Sequence, residues 1–275
     1  MLSFYNKIKN YLKNTNFKKN NKRKILELLL KIYELKNYNK PYRIFKQNYY
    51  PIIPLNIFQT WYTKDLPYHM NQKVELLKNQ HPRFKHYLFD DNDCREFIKN
   101  NYDERVFNTY DKLIPGAYKA DLWRYCVLYK MGGIYMDIKL SCINGFRLIE
   151  LTENEHLVKD RPINSIFNSF MVCKKGNFFL LKAINKIVEN VKNNFYGSSA
   201  LSPTGPEMLG KLIINNRYKL NVDMQHYKNG GFIIYKNRFI ISTEYPEYNS
   251  ERSTLYDSIK TKRYDILWNE RKIYK

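Results

Sequence analysis

The sequence predicts a three-layer α/β domain preceded by a basic helical region. Three observations lead there. Strand and helix patterns alternate from about residue 52 onward. A long helical pattern stops at Gly132-Gly133 and runs directly into an apolar stretch that ends in a carboxylate. Finally, 275 residues with 25 Tyr and 16 Phe are enough to enclose one substantial core, which argues against disorder over most of the chain.

Residues 1–50 read as a basic helical region and residues 51–275 as the α/β domain. The first segment carries thirteen Lys or Arg against Glu27 and Glu34, about half of the net excess of +21. Within it, Lys24 to Leu35 sets Ile25, Leu26, Leu28, Leu29, Leu30, Ile32 and Leu35 among charges, the pattern of an amphipathic helix. That helix is too short and too charged to span a bilayer. It suits packing on the domain or peripheral contact with an anionic membrane. Met1 to Asn20 lacks the apolar centre of a secretory signal, so the expected location is cytoplasmic.

In the second segment, Ile53 to Trp61 reads as an opening strand and His81 to Asp91 as a second. Asp91 is a candidate cap for the helix through Asp93, Arg95 and Phe97. Pro115-Gly116 breaks the chain, and Ala120, Leu122, Trp123, Cys126, Val127 and Leu128 then give the broad apolar surface of a buried helix. Asp121, Arg124 and Tyr125 share its other face, where residues three and four apart are neighbours. Gly132-Gly133 supplies the cap and release. Ile134-Tyr135-Met136 follows as a buried strand, with Asp137 at its carboxyl end, where open α/β sheets bind ligands. Lys139, two residues on, is expected on the same side as Asp137. Extended segments follow over 156–175, then a helix over Asn177 to Asn194 and another after Pro206. Asn229-Gly230-Gly231 reads as a turn leading to strands through Ile241.

Composition excludes some classes. Cys94, Cys126, Cys142 and Cys173 show no metal-type or paired spacing and read as buried or free thiols in a reducing compartment. His69, His81, His86, His156 and His226 show no ligand spacing and read as structural or surface residues. Basic charge alone would suit nucleic acid. The abundance of Lys, Asn, Ile and Tyr is what an AT-rich genome imposes, and no helix-turn-helix, zinc or RNA-recognition pattern is present. No nucleic acid partner is expected.

The stretch Ala117-Tyr-Lys-Ala-Asp121-Leu-Trp-Arg124-Tyr-Cys-Val-Leu-Tyr-Lys-Met-Gly132-Gly133-Ile-Tyr-Met-Asp137-Ile-Lys139 resembles the signature of the DXD-containing sugar transferases of glycosyltransferase family 32. More distantly it is similar to the glucosyltransferase domains of large clostridial toxins. The Gln59-Thr60-Trp61 ending of the first strand, the His81 to Asp91 strand, Asn168 to Asn177, and Thr204-Gly205-Pro206 extend the match in the family's order over roughly residues 52 to 210. The resemblance implies a GT-A fold, a Rossmann-like sheet binding a nucleotide sugar. It also implies transfer of a hexose or N-acetylhexosamine, UDP- or GDP-linked, to a glycan, lipid or protein acceptor, with retention of configuration.

Carried over residue by residue, Trp61 matches the aromatic that stacks on the base, and Gln59, Asp90 and Tyr125 fall among the nucleotide-sugar residues. Asp121 matches the contact to ribose and sugar hydroxyls. Arg124 matches the residue reaching the donor sugar or phosphates, and Asp137 the first aspartate of Asp-x-Asp. Thr204, Gly205 and Pro206 match the acceptor side. The catalytic set is therefore Asp137, Arg124 and Lys139.

Lys139 departs from the pattern, which has a second carboxylate there to help hold Mn2+ or Mg2+ against the diphosphate. Three consequences are physically reasonable. Lys139 itself neutralises the departing diphosphate. Alternatively, a metal is held by Asp137, the diphosphate and a tail carboxylate such as Asp265 or Glu270. In the third, catalysis is lost and the chain is a transferase-like scaffold.

Overall fold

In a computed structural model of the chain, residues 2–15, 19–42, 46–160, 164–214, 224–227 and 231–275 are described. Two basic helices, α1 (Leu2–Lys13) and α2 (Lys19–Tyr38), precede β1 (Asn56–Thr60), α3 (Tyr68–Gln80) and β2 (Lys85–Phe89). Next come α4 (Asp91–Asn101), α5 (Glu104–Lys112), α6 (Gly116–Met131) and β3 (Gly133–Met136). A short β4 (Ser141–Cys142), a 3-10 turn (Leu148–Leu151), β5 (His156–Asp160), β6 (Ser165–Cys173) and α7 (Phe178–Lys192) follow. The chain closes with α8 (Pro206–Ile214), β7 (Met224–Tyr227), β8 (Phe232–Tyr235), β9 (Arg238–Ser242), α9 (Tyr248–Ser258) and α10 (Tyr264–Asn269).

The strands form one mixed sheet in the order β2-β1-β3-β6-β5-β7-β8-β9-β4. β1 lies parallel to both β2 and β3, and β6 joins β3 antiparallel. Successive side chains of a strand face opposite ways, so each central strand feeds two cores. Phe58, Tyr135, Met171 and Cys173 enter the core shared with α4 to α7. Ile57, Ile134, Met136, Phe170 and Val172 enter the opposite one, with Leu148, Leu151 and Ile241. Both faces being covered explains why Ile134-Tyr135-Met136 is apolar throughout. This is the α/β architecture expected, a mixed sheet covered on both faces.

Helix α6 runs through the first core, with Leu122, Trp123, Cys126, Val127 and Leu128 fully buried. It ends at Gly132, whose φ is +67° and whose N–H donates to Leu128 O at 2.8 Å. A Cβ at Gly132 would stand 2.6 Å from the Lys175 nitrogen, so both backbone angle and space demand glycine.

Two expectations need correction. Asp90, not Asp91, caps α4: its Oδ1 accepts from the Asp93 N–H at 2.8 Å while the Asp93 side chain accepts from the Asp90 N–H at 3.1 Å. A reciprocal box of this kind needs the carboxylate three residues before its partner, which Asp90 satisfies. The strand also ends at Met136. Residues 137–140 form a turn closed by Leu140 N–H to Asp137 O at 2.9 Å, so strand alternation does not place Lys139. The expected turn at Asn229-Gly230 lies outside the described residues; Gly231 is described with φ +68° before β8. Helices α9 and α10 were not anticipated.

Among the described residues no helix is long and apolar enough to cross a membrane. On α2, Leu28 and Ile32 are exposed. The side chains of Leu30 and Leu35 lie outside the described set. Chain ahead of residue 50 nevertheless joins the domain. Tyr38 meets Phe239 edge-on at 5.6 Å, and buried Tyr42 meets Phe146 at 4.9 Å while its N–H donates to Asn144 O at 2.7 Å. All four cysteines are buried and free.

Tyr42 has no partner for its hydroxyl among the described residues, so its ring is what matters. Tyr42→Ala should cost about 3 kcal/mol in urea unfolding and Tyr42→Phe less than about 1 kcal/mol. Equal effects would show that the ring does not pack as described.

Candidate functional site

The site begins with one face of α6. Asp121, Arg124 and Tyr125 project from it toward β3 and a bulged part of β6, where pairing with β5 jumps between Leu157 and Lys159. Bulges re-aim side chains at sheet edges. Here the irregular stretch contains Asn168, whose amide donates to Asp121 Oδ1 at 2.9 Å and to the Tyr125 hydroxyl at 2.8 Å.

Arg124 is the centre of this arrangement, with its side chain only 7% exposed. Its Nε donates to Ala120 O at 3.2 Å and its Nη1 to Asn168 O at 2.9 Å. Its charge lies 3.5 Å from both Asp121 Oδ1 and Asp137 Oδ1, and its guanidinium carbon 4.3 Å from the Tyr135 ring centre. Burial opposes the cation, but Tyr135, Asp121 and Asp137 outweigh it and hold the guanidinium charged. Burial is also the leading influence on Asp121, pushing its carboxyl up against the pull of Arg124, Thr204 and Asn168.

Asp137 follows β3 directly. Its N–H donates to Ser169 O at 2.8 Å, which fixes the backbone, and its Oδ1 accepts from the Tyr135 hydroxyl at 2.6 Å. Two cavities meet at this point. Trp61, Tyr62, Asp91, Tyr248 and Arg252 line the first. Asp121, Asn168, Gly205, Pro206, Asp160 and His226 line the second. Arg124, Asp137 and Lys139 border both, so the expected catalytic trio is brought together although the strand stops short of it.

The remaining expected residues divide. Trp61 lines the first cavity, and its indole N–H has no partner among the described residues. Tyr125 and Thr204 are buried braces: the Tyr125 hydroxyl donates to Thr204 O at 3.2 Å, and the Thr204 hydroxyl donates to Asp121 Oδ2 at 2.7 Å. Gly205 and Pro206 line the second cavity; a Cβ at Gly205 would meet Asp121 Oδ2 at 3.3 Å. Gln59 and Asp90 line neither. Gln59 is buried and pairs with His86 at 2.8 Å, while Asp90 serves as the cap described above.

The residues at the cleft do not make a fitting donor set for a divalent cation. Among the described residues no three His, Cys, Asp or Glu side chains gather as ligands. Asp137 already serves Tyr135 and Arg124, and the cation of Lys139 faces the same space. The two tail carboxylates named as candidates are elsewhere: Asp265 lies 3.2 Å from Arg263, and Glu270 pairs with Lys262 at 2.5 Å. Neither borders the cavities.

Several residues of the site carried no sequence signal. Asn168 stood out only as part of a strand. Tyr248, Arg252 and Tyr256 of α9 line the first cavity more than a hundred residues after Asp137. His226, read as structural or surface, pairs through Nδ1 with Asp160 Oδ1 at 2.8 Å, stacks on Phe167 and borders the second cavity. Parallel pairing of β5 with β7 creates that contact.

Residues 67–158, which include Asp121, Arg124, Asp137 and Lys139, match the family model described as "Glycosyltransferase sugar-binding region containing DXD motif". The chain is 31% identical over 158 residues to inositol phosphoceramide mannosyltransferase 3 of Schizosaccharomyces pombe, covering 57% of this chain and 44% of that protein. It is 29% identical over 169 residues to a mannosyl phosphorylinositol ceramide synthase of Saccharomyces cerevisiae, covering 61% and 43%. Among solved structures, the PaToxG glycosyltransferase aligns with a TM-score of 0.47 and 16% identity, over 70% of this chain and 76% of that one. The chain thus carries a DXD-type glycosyltransferase region and resembles family 32. It spans less than half the length of the two curated relatives.

Burial pushes His86 down to about 4, aided by Lys78, and pushes His81 down to about 4, aided by Arg147. Both are neutral in the folded chain, against an ordinary value of 6.5. Their neutral forms contribute stability that is full above 6.5 and is lost as pH falls toward 4. Urea midpoints of wild type should therefore drop over that window, and a His81→Gln, His86→Gln double variant should drop less. Parallel curves would contradict the assignment.

Proposed function

We propose that this chain is a retaining glycosyltransferase that moves a hexose or N-acetylhexosamine from a nucleotide sugar to a hydroxylated acceptor. The observation that carries the reading is the junction of two cavities at Arg124, Asp137 and Lys139, inside the matched sugar-binding region. The aromatic first cavity suits the nucleotide: Trp61 offers a ring face and a free N–H. The second suits the acceptor. The named relatives favour a mannosyl group as the sugar and an inositol-bearing ceramide lipid as the acceptor.

In the reaction the bond between the anomeric carbon and the phosphate oxygen breaks, and its electron pair leaves on the diphosphate. Positive charge grows on the sugar and negative charge on the phosphate. Arg124 is held charged and immobile by its carboxylates and by two backbone oxygens, so it meets the growing negative charge without reorganising. Asp137 faces the sugar, orients its hydroxyls and favours the positive charge at the anomeric centre. The acceptor oxygen then bonds to the anomeric carbon on the face the diphosphate leaves, and its proton passes to a phosphate oxygen. That route needs no separate base and retains configuration.

Asp137→Ala should reduce donor hydrolysis and transfer by at least about a hundredfold, since it removes both the group that orients the sugar and the charge that favours its positive anomeric centre. Far-UV circular dichroism should stay unchanged. A variant as active as wild type, tested with UDP- and GDP-sugars, would place the chemistry elsewhere. Wild-type chain that binds a nucleotide sugar without turnover would favour the scaffold reading that Lys139 suggests.

A further inference from the structure

The first cavity has a wall that the family region does not supply. Helix α9 presents Tyr248, Arg252 and Tyr256 at a spacing of four, so all three fall on one face, and all three border the cavity opposite Asp137 and Lys139. The Tyr248 ring is buried and has two cations against it: Lys139 Nζ lies 5.5 Å from its centre and the Arg252 guanidinium carbon 5.2 Å. Burial pushes the Tyr248 phenol up, Asp137 pushes it further and Arg252 pulls it back, so these three groups share one field. Neither Lys139 nor Arg252 has a carboxylate within salt-bridge distance among the described residues. The polar partners of Arg252 there are neutral: the Asn249 side chain at 2.9 Å and the Tyr248 hydroxyl.

Lys139 and Arg252 bring two cations to one half-buried cavity with no salt bridge of their own, its Asp137 being engaged by Arg124 and Tyr135. Their mutual repulsion is relieved when an anion lies between them. The cleft carries the positive charge that a divalent metal would otherwise bring, at the position where the donor carboxylates for a metal are missing. We infer that Lys139 and Arg252, both set against the Tyr248 ring, form a diphosphate-binding clamp that stands in for the metal ion, with α9 supplying the second cation. This rests on the nucleotide-sugar reading of the cleft and adds to it a residue from outside the matched region.

Three properties follow from the clamp. Diphosphate affinity is independent of chelator. Affinity for the nucleoside alone is indifferent to Arg252. Loss of either cation weakens diphosphate binding, and Arg252→Lys restores part of what Arg252→Gln removes, since a charge is kept but the planar fork is lost.

The test is calorimetric titration of wild type, Arg252→Gln, Arg252→Lys and Lys139→Gln with UDP, GDP, uridine and guanosine, each with manganese and with chelator. The clamp predicts that the diphosphate wild type prefers binds equally with manganese or chelator. It predicts at least about tenfold weaker diphosphate binding in both Gln variants, recovery in Arg252→Lys and unchanged nucleoside binding. Wild type that binds a diphosphate only with manganese overturns the clamp and leaves the transferase reading standing. So does an Arg252→Gln variant with wild-type diphosphate affinity. Wild type that binds neither diphosphate under either condition overturns both.

Discussion

One buried guanidinium organises this molecule. An arginine buried against the central strands of a sheet is costly unless its hydrogen bonds and its charge are met, because the interior solvates ions poorly. Arg124 is met by two backbone oxygens, two carboxylates and a ring face, drawn from α6, β3 and the bulge of β6. Each of those contributors has a structural reason. Gly132 lets α6 stop in time for β3 to follow, Tyr135 anchors Asp137, and Asn168 and Thr204 hold Asp121 from the far side. Removal of any one partner would leave a charge buried without its complement, which is why the cluster acts as a single unit.

Rigidity of this kind is what a group-transfer site needs. Charge that develops on a leaving phosphate is stabilised most by cations that are already in place and already dry. Arg124 fits that description on the inner side of the cleft. Lys139 and Arg252 are different, being half-buried and held by neutral groups, the Tyr248 ring and hydroxyl and the Asn249 amide. The inner cation is held by carboxylates and backbone oxygens, whereas the outer pair has no salt bridge among the described residues.

Much of the inner cluster was legible in the sequence because it is local. Asp121, Arg124 and Tyr125 are neighbours on one helix, and the glycine pair followed by an apolar run told where the chain would turn and surface at Asp137. What was not legible depends on contacts distant in sequence. Asn168 reaches Asp121 through a bulge that periodicity does not reveal. His226 meets Asp160 through a parallel strand pairing. Arg252 and Tyr248 reach the cleft from a helix with no motif of its own. Lys139 was placed on the right side by the wrong cause, since a turn puts it there. Gln59 and Asp90, expected at the nucleotide, are used instead to join β1 to β2 and to cap α4.

The central claim is that a nucleotide sugar bridges the two cavities across Arg124, Asp137 and Lys139. Hydrogen–deuterium exchange of the intact chain, with and without UDP- and GDP-sugars, addresses it most directly. Protection is expected together in peptides spanning residues 58–62, 120–125, 135–140 and 248–256, and not in α1 or α3. Protection confined to the basic N-terminal helices, or none with any donor, would contradict the account.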